Sequence, residues 1–585
     1  MDSLYIRAVV EELRQKLLHG KVERIYQPLP EEIQLLIRAG GEKHRLLISA
    51  RADAPRLHIT TTGRDNPQQP PLFCMVLRKH LEGGRIVDLF QEGWDRIVRL
   101  RIENRDEMGE LAVKDLIVEI MGKHSNIILV DYRQNVIYDA IKRYSHAVSR
   151  HREVLPGRPY IPPPRQEKVD PLALKEETDL ISLAAPLPAG TKGENFLVRH
   201  VEGLAPFMAR EVLHRAGLES VPVDEWGSGE FAALLRQLQA LFRSAAGGNF
   251  SPHLYYADQR PHLLSAFPLY HLGNLPATTG PASFLADSFY RQKEELEKTS
   301  SLKQKLLQTV AKEMERQKRR IEHQEEAIAQ AGDPEHYRLL GELLYANLYR
   351  IPAGATSITV ENYYQDPPLP VTIPLREDLE PSRQAEEYFR LYRKAKNTIA
   401  RATTIKEEAI AELEYLESVR QALLEASTLE ELAEIEKELS DEGYLSSPAS
   451  KTPAGQKKAT PPSPAVYLSS DGLEILVGKN NRQNDYLTMK LASPDDIWLH
   501  ARNIPGSHVV IRTGGKDVPT QTLLEAASLA AYFSRGRAAG KAEVDYTAVR
   551  HVRKPRHARP GMVVYENQKT LVVKAEIPPG VEKKA

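Results

Sequence analysis

Apolar positions along this chain change period several times, and each change marks a different kind of element. Residues 4–18 carry apolar side chains at helical spacing, whereas residues 33–38, 44–49 and 56–61 are short runs bounded by turn formers, the pattern of strands. An apolar helix at 72–81 interrupts the strands before more follow at 97–102, 116–120 and 126–130. Residues 1–165 therefore predict a β-rich domain. It ends in the run Leu155-Pro156-Gly157-Arg158-Pro159-Tyr160-Ile161-Pro162-Pro163-Pro164, whose prolines cannot donate to a ladder and stiffen the connection.

Residues 166–282 turn helical, with returning strands. Segments 194–202 and 207–216 flank Gly203-Leu204-Ala205-Pro206, and Gly217 is a suitable C-terminal stop. A helix–hairpin–helix is expected, and two uses of it stay open: backbone amides aimed at a phosphate, or a plain packing hairpin, since the usual second hairpin glycine is missing. Further on, Leu307, Met314, Ile321 and Ile328 recur every seven residues with Val310 between the first two, and Ala402, Ala409, Leu416 and Leu423 repeat the interval. Two heptad helices, 283–331 and 381–439, separated by an insert at 334–379 predict an antiparallel coiled-coil arm with a small globular tip across 283–445. Gln317 and Gln324 in core-type positions soften the seam, and an ordinary helical domain is the alternative. Residues 446–464 are rich in Ser, Pro, Ala and Lys with no apolar period, so a flexible tether is expected. Residues 465–585 read as a compact α+β domain: a hairpin of 466–468 and 473–477 around Ser470-Asp471-Gly472, a second of 497–501 and 509–512 around Pro505-Gly506, a helix at 522–533, and a third hairpin of 563–565 and 571–574. The fold class is thus multidomain α+β.

Composition sharpens this only in part. A chain of 585 residues exceeds what one core supports. Cys74 is the single cysteine, which excludes an intrachain disulfide or a cysteine-rich zinc module and favours a reducing compartment, the cytosol. No apolar run of spanning length and no signal-like start occur, so neither membrane insertion nor secretion is expected. Net charge is zero, 79 Lys+Arg against 79 Asp+Glu, yet residues 535–559 hold eight basic residues against two acidic ones. That stripe, with Arg553, Lys554 and Arg556 at its centre, is a candidate footprint on a phosphate backbone.

Catalytic templates fail. The segments from Gly472 to Lys479 and from Gly536 to Lys541 have the wrong spacing for a phosphate-binding loop and are followed by Asn480 and Ala542. No nucleophile elbow, His-Glu-x-x-His helix or Cys-x-x-Cys pair is present. Neither catalytic residues nor cofactors are expected. His500 and His508 meet across one hairpin but lack a third ligand, so no metal site is expected. Strand alternation puts Trp498, His500 and Arg502 on one face with His508 opposite, aromatics beside cations in the manner of an RNA surface; a solvated polar face is the alternative. Asp95 and Arg96, at a strand start, should point to opposite faces and so should not be each other's ion pair. Glu119-Ile120-Met121-Gly122-Lys123-His124-Ser125-Asn126 is a strand leading into a polar turn whose N–H groups suit a phosphate or a tRNA loop, with Glu119, Met121, Lys123 and His124 as contacts, or simply a tight turn.

These motifs together resemble the NFACT proteins, once called fibronectin-binding protein A-like, over nearly the whole length: Asp2 at the head of the first helix, Trp94-Asp95-Arg96, the segment from Glu119 to Asn126, Tyr363-Tyr364-Gln365-Asp366, the tyrosines and lysines from Tyr388 to Lys396, and the segment from Asp496 to His508. Ser3 stands where the family often has Gly, and Gln384 where Asn is common. The resemblance implies an N-terminal NFACT domain, a helix–hairpin–helix, a coiled-coil middle and a C-terminal RNA-binding NFACT domain, with Asp2, Asp95 and Arg96 handling an incoming tRNA. It implies a factor that binds large ribosomal subunits obstructed by peptidyl-tRNA, recruits alanyl-tRNA and, with a small RNA-binding tailing cofactor, supports untemplated alanine addition. Bond formation would belong to ribosomal RNA, so the chain itself is expected not to be an enzyme. Two rivals are weighed against this. Glycosylases of the formamidopyrimidine type use Pro-Glu after the initiator Met and a four-cysteine finger, where this chain has Asp2-Ser3 and one Cys. A fibronectin-binding surface adhesin would call for a signal peptide and a wall anchor.

Overall fold

The computed structural model describes residues 1–106, 108–147, 151–164, 166–445 and 463–584. The chain forms two compact units, Met1–Leu296 and Glu297–Ala585. Most of the tether expected at 446–464 lies outside the described residues.

The first unit is built on a nine-stranded antiparallel sheet. Helix α1 (Ser3–Leu17) precedes strands β1 (Lys21–Leu29), β2 (Glu32–Ala39), β3 (Glu42–Ser49) and β4 (Arg56–Ile59); helix α2 (Leu72–Leu81) then leads into β5 (Arg85–Gln91), β6 (Ile97–Arg105), β7 (Leu111–Glu119), β8 (Asn126–Asp131) and β9 (Ile137–Ala140). The order β4-β3-β2-β1-β5-β6-β7-β8-β9 is a meander with one non-sequential junction, β1 beside β5 at Lys21↔Arg85. Alternation does the sorting. Val98, Leu100 and Ile102 of β6 join a core that α1 covers through Leu13 and Leu17, while Ile97 joins a smaller cluster with Ile117, Ile128 and Tyr160 on the other face.

A helical layer follows: α3 (Glu177–Ala184), α4 (Gly193–His200), α5 (Pro206–Ala216) and α6 (Ser228–Ala246), then a small sheet of β10 (His253–Ala257), β11 (Arg260–Ser265) and β12 (Ala277–Thr279). The expected hairpin is the α4–α5 connection. Pro206 occupies the first turn of α5 and Gly217 closes it in the left-handed region at φ 73°, which costs glycine nothing. Helix α7 (Ala282–Ala331) begins in this unit.

In the second unit α7 continues, followed by α8 (Pro334–Ala346), the hairpin β13 (Ser357–Asn362) and β14 (Leu369–Pro374), α9 (Pro381–Glu425) and α10 (Leu429–Asp441). Lys303 donates to the Leu424 carbonyl at 2.7 Å, Arg320 pairs with Glu408 at 3.4 Å and Lys406 with Glu325 at 2.7 Å. Residue numbers thus rise on one helix as they fall on the other, an antiparallel pair. Ala395, Ala402, Ala409, Leu416 and Leu423 are all buried at strict seven-residue spacing, and Leu416 and Leu423 pack with Leu306, Val310 and Met314 near the root; on α7 Leu306 is buried in place of the expected Leu307, and Ile321 and Ile328 are only partly buried. The single helix expected over 381–439 breaks instead between Glu425 and Leu429, because Thr428 and Glu431 form a reciprocal capping box that starts a new helix. The tip has its own core, Leu340, Leu343, Leu344, Val360 and Ile373. Gln384 ties it to α9, donating to the Pro374 carbonyl at 2.7 Å and accepting from the Arg376 N–H at 3.0 Å, a span that the longer amide bridges.

The C-terminal part comprises β15 (Ala465–Leu468), β16 (Glu474–Val477), α11 (Asn481–Tyr486), β17 (Ile497–Ala501), β18 (Val509–Ile511), α12 (Thr520–Tyr532), β19 (Lys541–Ala548), β20 (Val552–Arg553), β21 (Val564–Tyr565), β22 (Lys569–Lys574) and β23 (Glu582–Lys583). Seven strands order as β22-β19-β17-β18-β16-β15-β23, and α12 covers one face. The first two expected hairpins form. The third does not: β21 pairs with β20, and β22 with β19.

Candidate nucleic-acid interface

Three segments distant in sequence meet around one cavity of about 490 Å³ in the first unit: the head of α1 at Asp2, the turn between β5 and β6, and the α4–α5 hairpin. Asp95 and Arg96 belong to that turn, one residue short of β6, so strand alternation does not govern them. Both side chains are exposed, and both line the cavity. The expected opposition of the two is thereby corrected, although Asp95 spends one oxygen on the Arg96 N–H (2.7 Å) and none on its guanidinium.

The turn is braced from behind. Gln91 donates to the carbonyls of Ser3 (3.2 Å) and Asp95 (2.6 Å) and to the Ser3 hydroxyl (3.0 Å), and that hydroxyl donates to the Trp94 carbonyl. Ser3 thus has a use for its side chain where a glycine would leave the turn unpinned. Trp94 is buried, donates to Asp170 at 3.1 Å, and lies under the Arg7 guanidinium at 4.9 Å. Gly203 sits against this brace at φ +76°, where an added Cβ would fall 3.0 Å from Trp94 Cβ. Both its conformation and its lack of a side chain are required.

Asp2 caps α1 by accepting the Tyr5 N–H at 2.8 Å, while its second oxygen is buried with no hydrogen-bond partner among the described residues. Burial pushes this carboxyl up to about 6, against the pull of the Tyr5 N–H, the Met1 amine and Arg96. Lys168 is pulled down, by burial first and then by Arg96, against Glu202 and Asp95. Carboxylates around the rim, Asp2, Asp95 and Glu202 among them, outnumber the cations Arg96 and Lys168. Such a lining disfavours a phosphate and suits base-edge amino groups, which carboxylates accept.

Met121 lines the same cavity, but its neighbours do not. Glu119 is fully buried, held by Arg152 at 2.7 and 2.6 Å and by the Tyr160 hydroxyl at 3.0 Å. It is corrected from a tRNA contact to a buried fastening of β7. Lys123 and His124 are exposed on a short turn away from the cavity lining. The N–H groups of Met121, His124 and Ser125 are spent on Ser125 Oγ and on the carbonyls of Met121 and Gly122, which favours the tight-turn reading.

The C-terminal candidates fare differently. Trp498 shares a face with His500 and His508 as expected, with ring centroids 5.7 and 5.2 Å away. That face is covered, however: Trp498 is 0% exposed and packs with Leu476, Leu487, Val510, Val549 and Val552. It is corrected from a stacking platform to a second core. His508 is buried, with Nδ1 2.8 Å from Thr488 Oγ1. Burial pulls His500 down to about 4 and His508 well below its ordinary value, so both imidazoles are neutral near pH 7 and neither is a phosphate-binding cation. The two rings lie 5.4 Å apart, yet among the described residues no group of three His, Cys, Asp or Glu could hold a metal ion.

The basic stripe is largely spoken for. Within it Arg553 pairs with Glu566 and Lys554 with Asp485, while Arg556 is exposed with no ion pair among the described residues; Arg502, outside the stripe, pairs with Glu543 at 3.4 Å. Gln91, Lys168 and Gly203 were not singled out as site residues from the sequence. Nothing local marks Gln91 or Lys168; Gly203 was visible as a hairpin glycine but not as a neighbour of Trp94.

Two family models match the chain. One described as NFACT N-terminal and middle domains matches residues 2–459, and one described as NFACT protein RNA binding domain matches residues 464–567. The chain is 39% identical over 574 residues to the protein named Rqc2 homolog RqcH of Bacillus subtilis strain 168, covering 98% of this chain and 97% of that one. It is 35% identical to the protein of the same name in Streptococcus pneumoniae strain D39, with the same coverage. A segment of 136 residues, 23% of this chain and 12% of the relative, is 30% identical to the human ribosome quality control complex subunit NEMF. No helix among the described residues is long and apolar enough to cross a membrane.

Proposed function

The chain belongs to the NFACT family, and from that premise we propose that it is a ribosome quality control factor that binds large subunits obstructed by peptidyl-tRNA and recruits alanyl-tRNA for untemplated C-terminal tailing. The observation that carries the reading is the near full-length identity to proteins named Rqc2 homolog RqcH. The cavity adds a mechanism. Asp2, Asp95 and Arg96, three residues from two distant segments, face one pocket bordered by the α4–α5 hairpin. Its carboxylates accept amino groups of unstacked bases, and Arg96 meets the adjoining backbone. The ribosome supplies the peptide-bond chemistry, a small RNA-binding protein assists tailing, and the chain acts in the cytosol without a catalytic residue of its own.

The test is an Asp95→Ala, Arg96→Ala double variant. Both side chains are exposed, Asp95 accepting the Arg96 N–H and Arg96 acting on Asp2 and Lys168 only through its charge, so folding should be unchanged. Loss of one charge-assisted contact costs about 1.5–3 kcal/mol, roughly tenfold to over a hundredfold in affinity. Sequencing of RNA co-purified with the variant should show tRNA depleted by that order, while ribosomal RNA remains. Undiminished tRNA would remove the cavity from the reading.

A further inference from the structure

The cations of the C-terminal domain that would meet RNA face acids of the arm's own root. Arg559 forks between Glu412 (2.9 Å) and Glu442, under the rings of Tyr415 and Tyr444. Arg535 reaches Glu417 at 3.7 Å, Arg537 reaches Glu425 at 3.3 Å, Arg482 reaches Asp441 at 2.9 Å, and Lys479 pairs with Glu431. Glu412, Glu417 and Glu425 lie on α9 and Glu431 and Asp441 on α10, with Glu442 just beyond, so carboxylates recur along one continuous edge.

That edge presents a row of anions to guanidinium and ammonium groups, as a phosphate backbone does. The seam is also loosely filled. Cavities of about 140 and 570 Å³ run along it, lined from both sides, the larger by Arg420, Arg535 and Arg537 with Glu417 and Glu425. Arg535 is 68% exposed and Arg537 47%. At these two positions solvated pairs hold weakly and yield to competing polyanions, whereas Arg559 and Lys479 are about one-third exposed and Asn480, Asn481 and Gln483 are buried on Glu434 and Glu438.

We propose that the acidic root of the arm is an internal competitor for RNA: it occupies the phosphate-binding face of the C-terminal domain, and RNA gains Arg535, Arg537, Arg559, Lys479 and Arg482 only when that domain leaves the root. The inference rests on the reading of residues 464–567 as an RNA-binding domain.

Bridging the seam tests it. Ser418 Oγ and Asn481 Nδ2 stand 2.9 Å apart across the joint, and the native Cys74 is buried. The full chain carrying Ser418→Cys and Asn481→Cys, in the Asp95→Ala, Arg96→Ala background that silences the first cavity, is bridged by a disulfide formed with diamide, which takes up the two thiol hydrogens, and is reopened with dithiothreitol. Binding of fluorescein-labelled bulk tRNA is then measured by anisotropy at fixed salt. The bridged form should bind about tenfold or more weakly than the unbridged form. Glu412→Gln with Glu442→Gln should tighten binding severalfold, whereas Glu322→Gln with Glu326→Gln, an equal charge change on exposed positions far along the arm, should not. Equal affinity of bridged and unbridged protein would overturn the competition while leaving RNA binding intact. Absence of binding by every form would overturn the RNA-binding reading, and this inference with it.

Discussion

Replacing Asp2 by Asn separates what the carboxylate does for the fold from what it does for the ligand. In the unfolded chain Asp2 titrates near its ordinary value of 3.8, whereas burial raises it to about 6 in the folded protein. Between these values the folded state holds a proton that the unfolded state has released, so stability falls as pH rises through the window. Above pH 6 the folded carboxylate is charged where burial disfavours it. A displacement of about two pH units corresponds to about 3 kcal/mol, and contact with water at this half-buried residue reduces that to about 2 kcal/mol. Asn caps helices as well as Asp does and can still accept the Tyr5 N–H, now bound at 2.8 Å. Asp2→Asn should therefore melt higher than the wild type at pH 8, by about 3 °C for a unit of this size, with the gap narrowing toward pH 5. The assay is thermal unfolding of the full chain followed by tryptophan fluorescence, Trp94 and Trp226 reporting on the first unit. The same variant should lose tRNA recruitment at pH 8, because a neutral amide offers a weaker acceptor to base amino groups. A variant less stable than wild type at pH 8 would refute the reasoning, since it would mean that the Met1 amine and Arg96 outweigh burial.

Two further substitutions separate buried fastenings from contact surfaces. Glu119→Ala strands the buried Arg152 guanidinium and should destabilise the first unit by about 3–5 kcal/mol; an unchanged melting temperature would restore Glu119 as a candidate contact. Trp498→Ala opens a cavity in the second core at a cost of about 3–5 kcal/mol, so its RNA affinity should fall only as far as the domain unfolds, and a loss of affinity with no change in melting would return the indole to the surface role.

The sequence disclosed elements more readily than environments. Period alone placed the helix at 72–81, the heptads of the second long helix and two of the three C-terminal hairpins, because local spacing decides which face of an element is apolar. It could not tell which faces would be covered. Trp498 sits on the predicted polar face, yet Leu487, Val549 and Val552 arrive over it from segments outside that hairpin. The stripe at 535–559 reads as free charge until the fold brings up Glu412, 147 residues from Arg559. Four residues that line the first-domain cavity, Asp2, Asp95, Arg96 and Met121, stand in the motifs that carry the family resemblance, but the cavity's geometry was not legible. Asp95 and Arg96 look like a strand start and belong to a turn whose course depends on Ser3 and Gln91. One residue of register decides whether two side chains face apart or share a pocket.

The arm leaves its root where it entered. Lys303 donates to the carbonyl of Ala426 at 3.0 Å, so the 122 residues between them form an excursion whose two ends are fixed to each other. Its alanine seam repeats without a break, and each helix advances about 10.5 Å per heptad. Adding or removing one heptad from both helices would displace the small tip by that distance and leave the root unchanged. Built this way, the paired helices are a ruler graduated in steps of seven residues, and the reach of the tip can be reset without redesigning anything at either end.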